Sequence, residues 1–172
     1  VIKEYLDEGV DKGVKANIEN TISKLKTSGA DIRTVSLPSL PLALAVYYII
    51  CPAEVASNLG RYDGQRFGYS AKTAKDLNES YRLSRSEGFG DEAKRRIMIG
   101  SYVLSSGYYD AYYKKAQTVR TKIINEFESA FKNVDILLGP TSPTTAFKIG
   151  ANTSDPLKMY LTDIMTVSAN IA

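Results

Sequence analysis

Residues 11 to 37 read DKGVKANIENTISKLKTSGADIRTVSL, and this stretch decides the fold class. Val14, Ile18, Ile22 and Leu25 recur at spacings of four, four and three. That period places them on one face of an amphipathic helix over residues 11 to 28. Gly29 stands in the usual position just past a helix end. Asp31 to Leu37 then roughly alternates, with Ile32, Val35 and Leu37 apolar, and predicts a short strand stopped by Pro38 and Pro41. A helix, a glycine and a strand in succession point to α/β architecture.

Further along, Leu42 to Leu59 is apolar nearly all round, apart from Glu54, Ser57 and Asn58. Such a helix is buried on most sides, and Pro52 is expected to kink or break it. Gly60 to Gly68 carries three glycines and reads as a loop. A short helix is expected over Leu77 to Arg85. Asp91 is expected to cap another that runs to about Ser105, where Gly107 ends it. Ala111 to Val134 gives the clearest periodicity in the chain. Tyr112, Ala116, Val119, Ile123, Phe127, Ala130 and Val134 form one stripe. Asp135 to Leu138 predicts a second short strand, closed by Gly139-Pro140. Thr141 to Asp155 reads as mostly loop. Pro156 suits the first turn of a last helix over about Leu157 to Thr166, capped by Asp155.

The composition narrows the chemistry. The chain of 172 residues has no histidine and one cysteine. A Ser-His-Asp triad, a Cys-His pair and a three-histidine zinc site are therefore excluded within it. Cys51 alone forms no internal disulfide and is expected in the core. A chain this long buries about 70% of its unfolded surface, which allows a sizeable core. The net charge of +3 allows an anionic partner without demanding one. The longest apolar run, Leu42 to Pro52, is too short to span a bilayer. With Lys3, Glu4, Asp7 and Glu8 in the first ten residues, no signal peptide is expected in this stretch. No membrane partner is expected, and the cytoplasm is the default location. The opening Val1 and the small, apolar residues up to Ala172 suggest a piece of a longer protein.

Several residues invite a functional reading beside a plain one. Arg95 and Arg96 point about 100° apart on one helix, so at most one faces a given pocket squarely. Both are solvated surface arginines, or one turns inward to hold a carboxylate with its two-pronged guanidinium. Asp163 sits among Leu161, Ile164, Met165 and Val167. It is an exposed residue on that helix or a buried carboxylate that needs a cation. An inward Arg and an inward Asp together would suit an amino acid, one for each charged group. The tyrosine pairs at 47–48, 108–109 and 112–113 read mainly as half-buried packing. With Lys114, Lys115 and Arg120 they would alternatively form a stacking platform in a helical RNA-binding module. No phosphate-binding glycine pattern is present. Ser105-Ser106-Gly107 has no adjacent base and reads as a helix end.

A set of longer motifs carries a resemblance. Arg61-Tyr62-Asp63-Gly64, then Arg66-Phe67-Gly68, resembles the YDGxRxG stretch of the A subunits of glutamyl-tRNA(Gln) amidotransferases, which are amidase signature proteins. Glu87-Gly88-Phe89-Gly90 followed by Lys94-Arg95-Arg96-Ile97 is similar to the same family. So are Ser106 to Gln117 with Val119-Arg120, Gly139-Pro140-Thr141-Ser142-Pro143-Thr144, and Asp155-Pro156-Leu157 with Met159 to Ile164. The resemblance runs from near Glu4 to the end. The Ser106 to Arg120 string looks particular to these amidotransferases rather than to amidases at large.

The resemblance implies residues 1 to 172 as part of the C-terminal half of a single amidase signature domain. The fold is then a mixed sheet covered by helices, with a helix-rich portion in this chain. It implies a glutaminase that works with a Ser–Ser–Lys arrangement, in which a neutral Lys acts as base through a bridging Ser. The segment bearing those groups does not occur here, so no catalytic residue is expected in this chain and the chain alone is expected to be inactive. For substrate binding, the resemblance assigns Arg96 to the glutamine carboxylate, Asp163 to its amino group and Tyr47 to the pocket lining. Arg95 and Tyr48 are each one place away and remain open as alternatives. The implied partners are glutamine, the other subunits of a heterotrimeric amidotransferase and Glu-tRNA(Gln) through the complex. No cofactor is expected in this chain; ATP and Mg²⁺ would be used by a partner subunit. The alternatives are another amidase signature hydrolase acting on a different amide, or the RNA-binding module.

Overall fold

A computed structural model of the chain describes residues 1–6 and 9–172. Among these, the regular elements are helices: α1 (Lys12–Thr27), α2 (Ala43–Leu59), α3 (Leu77–Gly88), α4 (Asp91–Val103), α5 (Lys115–Phe131), α6 (Pro156–Leu161) and α7 (Ile164–Ile171). Single 3₁₀ turns occupy Lys3–Leu6 and Leu40–Leu42, and a π turn at Tyr109–Lys114 leads into α5. The chain divides into two compact units, residues 1–47 with 118–172 and residues 48–117.

In the first unit, Asp11 caps α1 by accepting from the Gly13 and Val14 N–H groups at 2.8 and 3.3 Å. The α1 stripe is only half covered, and Leu25 is exposed. Neither expected strand forms a ladder. The Asp31–Leu37 stretch makes one isolated parallel bridge, Val35 with Ile2. The Lys3 N–H donates to Val35 O at 3.0 Å, and the Val35 N–H to Val1 O at 2.9 Å. The Ile2 N–H donates to Leu138 O at 3.0 Å. Residues 1 to 3 thus lie between the other two extended stretches, but too few consecutive bonds form to make strands. Ile2, Leu37, Leu40, Ala43, Val46, Ile123, Val167 and Ile171 are buried here. The Tyr5 hydroxyl and the buried Ser168 hydroxyl share a short hydrogen bond.

Glu126 of α5 fixes the start of α2. Its carboxylate accepts from the Ser39 N–H at 2.9 Å and from the Ser39 hydroxyl at 2.6 Å. Ser39 is buried, so both of its donors need this partner. The stripe on α5 is confirmed at Ala116 and Ile123, both buried, whereas Tyr112 is exposed. The π turn accounts for that difference: its wider winding puts Tyr112 out of phase with the helix that follows.

Pro52 does not break α2, which runs on through it with the Pro52 side chain fully buried. Between Ala43 and Asn58, the exposed residues are Ala45 and the three polar ones, Glu54, Ser57 and Asn58. The helical run Leu40–Leu59 is long and apolar enough to cross a membrane by length and composition, with mean hydropathy 1.6. The length argument from Leu42 to Pro52 therefore does not hold. The 3₁₀ turn lengthens the run at one end, and the helix carries on past the proline at the other. A helix packed within a protein core passes the same test.

In the second unit, Arg85 of α3 donates to the carbonyls of Leu59 and Tyr62, both at 3.0 Å, and stacks on Phe89. This satisfies backbone acceptors at the end of α2. The loop from Gly60 to Gly68 turns at Gly64, where φ is +80° and the space beyond is filled by Ser84. α3 runs three residues beyond the expected Arg85, capped at its start by Asp76. The cap of α4 is Gly90 and not Asp91, which forms the first turn with Glu92. Both acids sit where the helix dipole favours negative charge.

Candidate substrate-binding site

Arg96 lies in the second turn of α4, and Gly100 lies one turn further on the same face. A Cβ at Gly100 would meet the Pro52 carbonyl and the Ala56 methyl of α2. The missing side chain therefore lets the two helices touch at the backbone. On α2, Tyr48, Cys51 and Pro52 are spaced three and four apart, so they share the facing side. The Arg96 guanidinium reaches back to that side. Its central carbon is 5.4 Å from the Tyr48 ring centroid, and Nη1 is 3.9 Å from the Cys51 sulfur.

Glu92, one turn earlier, accepts from Arg96 Nε at 2.9 Å. Its other carboxylate oxygen pairs with Arg95. The Arg96 side chain is 23% exposed and that of Arg95 44%. Of the two neighbours, Arg96 is the one turned inward, against an aromatic face that favours a cation. Sequence reasoning missed Glu92, Tyr48 and Cys51 as partners of this arginine. The signal was present for Glu92, which precedes the two arginines by three and four residues, the spacing of helical ion pairs.

Tyr47 and Asp163 belong to the first unit. Tyr47 is half-buried on α2. Asp163 lies at a break in the expected last helix: α6 ends at Leu161 and α7 begins at Ile164. Asp155 caps α6 as expected, accepting from the Lys158 N–H at 3.1 Å. The break is closed by backbone bonds, with the Asp163 carbonyl accepting from the Thr166 and Val167 N–H groups, both at 3.0 Å. Asp163 is exposed, and its carboxylate makes no capping bond to α7. Of the two readings the sequence left open, the exposed one applies to this chain.

A cavity of about 400 Å³ in the first unit is lined by Tyr5, Leu40, Pro143, Leu161, Ile164 and Met165 among others. It is mainly apolar and includes none of the three candidate residues. The Ser105 hydroxyl donates to the Tyr102 carbonyl at 2.7 Å and Gly107 has φ +88°, so this segment is a helix end. Tyr102, Tyr108 and Tyr112 cluster with ring centroids 4.3 to 6.1 Å apart. The bond with Tyr108 is the first cause that pushes the Tyr102 phenol up to about 12. These rings stack on one another, and Lys114 pairs with Asp110 at 3.5 Å. Neither feature favours a basic stacking platform for RNA.

A model of the amidase family matches residues 1–172, the full length of the chain. The chain belongs to the amidase family. It is 58% identical over 172 residues to the glutamyl-tRNA(Gln) amidotransferase A subunit of Caldanaerobacter subterraneus, and 56% identical to that of Macrococcus caseolyticus. Both matches cover the whole chain but only 35% and 36% of the relatives. The crystal structure of the glutamyl-tRNA(Gln) amidotransferase A subunit from Thermotoga maritima superposes with a TM-score of 0.69 at 37% identity, over 99% of this chain and 32% of that one. The chain thus spans about a third of the length of these amidase relatives. Its fold is that of a portion of the amidase signature fold, in a helix-rich part.

Proposed function

We propose that the full-length protein carrying this chain is the glutamine-hydrolysing subunit of an amidotransferase that converts Glu-tRNA(Gln) to Gln-tRNA(Gln). In this reading the chain is part of the C-terminal half of a single amidase domain. Arg96 holds the glutamine α-carboxylate, Asp163 holds the α-ammonium and Tyr47 lines the pocket. The observation that carries the reading is the inward Arg96, fixed at Nε by Glu92 and backed by the Tyr48 ring. A planar guanidinium held in this way suits two-pronged binding of a carboxylate. The exposed Asp163 carboxylate is the complementary charge for an ammonium group.

Hydrolysis itself would be carried out by a Ser–Ser–Lys arrangement from outside this chain, giving glutamate and ammonia. The ammonia would pass to a partner subunit of a heterotrimeric complex, and that partner would use ATP and Mg²⁺ on Glu-tRNA(Gln). The complex would work in the cytoplasm, without a membrane.

The test is Arg96→Ala in the full-length protein. Losing one side of a desolvated charge pair costs about 2–5 kcal/mol, so the glutamine KM should rise at least about thirtyfold. An unchanged KM rejects the assignment. The isolated chain should turn over no glutamine; measurable turnover by the pure chain would place catalytic groups within it.

A further inference from the structure

We propose that Tyr5 and Arg120 are positioning residues for Asp163: they pin α7 at its middle and at its last turn, and so set where the Asp163 carboxylate stands. The inference rests on the reading of Asp163 as the residue that holds the glutamine α-ammonium, and adds the groups that hold Asp163.

Asp163 moves with α7. Its carbonyl accepts from the Thr166 and Val167 N–H groups, both at 3.0 Å, and from the Thr166 hydroxyl at 3.1 Å. Its N–H bonds back to the Tyr160 carbonyl at 3.1 Å, which makes the residue the joint between α6 and α7. α6 buries none of its residues, whereas α7 buries Met165, Val167, Ser168 and Ile171. α7 therefore decides where the joint lies.

Apolar burial holds a helix against a core, but it is non-directional, and packed helices can slide or turn by about 1–2 Å. Two directional bonds remove that freedom here. The Tyr5 hydroxyl bonds the fully buried Ser168 hydroxyl. Arg120 Nε of α5 donates to the Ile171 carbonyl at 2.6 Å. That carbonyl belongs to the last turn of α7, where acceptors lack partners within the helix and a cation is favoured. Tyr5 is itself fixed, because the Ile2 and Lys3 N–H groups bond the carbonyls of Leu138 and Val35, and Gly139 leaves the space that its ring occupies. Successive helical residues turn by about 100°, so Asp163 points about 140° away from Ser168, on the exposed side. The anchors grip the buried side and leave the carboxylate exposed.

The test uses the full-length protein within its complex and two substrates, glutamine and glutaramate, which is glutamine without the α-amino group. Tyr5→Phe and Arg120→Met should each lower kcat/KM for glutamine about fivefold, inside the roughly hundredfold that a misplacement of about 1 Å can cost. The loss should lie in KM, with kcat nearly unchanged. Neither substitution should change kcat/KM for glutaramate, which has no ammonium for Asp163 to hold. Arg120→Lys keeps a cationic donor and should recover most of the loss. Both substrates are measured on one sample, so the ratio of their kcat/KM values does not depend on how much of a variant folds. A merely structural role predicts equal losses for the two substrates, and that outcome overturns the proposal. Asp163→Ala is measured alongside. If it raises the glutamine KM while Tyr5→Phe and Arg120→Met do not, the positioning is wrong and the reading of Asp163 stands. If Asp163→Ala leaves the glutamine KM unchanged, both fail.

Discussion

Replacing Gly100 by alanine should disturb a place where α2 and α4 meet at the backbone. The added Cβ would sit 2.6 Å from the Ala56 Cβ and 2.5 Å from the Pro52 carbonyl carbon, with the carbonyl oxygen closer still. Ordinary carbon contacts lie at about 3.5–4.0 Å, so the helices must part by roughly 1 Å. The neighbours are mostly backbone of a helix interior, which yields less readily than a side chain. Overpacking of this kind costs about 1–3 kcal/mol, and the better helix propensity of alanine returns about 1 kcal/mol. Unyielding backbone places the cost in the upper half of that range, so net destabilisation of about 1–2 kcal/mol is expected. The same movement lifts Arg96 from Tyr48 and Cys51, so the glutamine KM should rise as well. Misplacing a binding group by about 1 Å can cost up to about a hundredfold. Urea unfolding and glutamine kinetics of the full-length variant provide the two readouts. A Gly100→Ala protein as stable as the parent, with unchanged KM, would show that the two helices do not touch there.

Other perturbations address the framework. Glu126→Ala removes the partner of two Ser39 donors, one of them a buried hydroxyl, and should destabilise the full-length protein by about 2–4 kcal/mol. An unchanged urea midpoint would refute that role for Glu126. Glu4 gives a pH test. Burial raises its pKa, but the Leu37 N–H and the Ser36 hydroxyl outweigh that and hold it below the ordinary value of 4.5. A carboxyl depressed in the folded state stabilises fully above its unfolded value and loses that contribution as pH falls through the folded value. Stability should therefore fall less steeply below pH of about 4.5 in Glu4→Gln than in the parent. Parallel acid limbs for the two proteins would contradict the assignment.

Elements that depend on local chemistry were the legible ones. The extent of α1 followed to within a residue from its apolar period and Gly29, and α6 began where Asp155 and Pro156 placed it. The polar residues of α2 marked its exposed positions because burial follows side-chain chemistry. The misses depended on distant partners or on competition between neighbours. Val35 reads as strand, yet its pairing lies with residues 1 to 3, more than thirty positions away. Asp91 reads as a cap, yet the extended backbone of Gly90 takes the position and Asp91 joins the first turn. The last helix splits at Asp163, although nothing in the apolar pattern of Leu161 to Val167 marks a break. At the candidate site, adjacent arginines diverge by about 100°, and sequence cannot say which one turns inward. That choice follows from the Gly100 contact, which brings Cys51 of α2 within reach of Arg96.

Whether Arg96 binds the α-carboxylate of glutamine is read by comparing two substrates in two proteins. Glutamine and its analogue without the α-carboxylate are turned over by the full-length parent and by Arg96→Ala. Removing Arg96 should cause a large loss in kcat/KM for glutamine and almost none for the analogue. Equal losses for both substrates, or no loss for either, would contradict it.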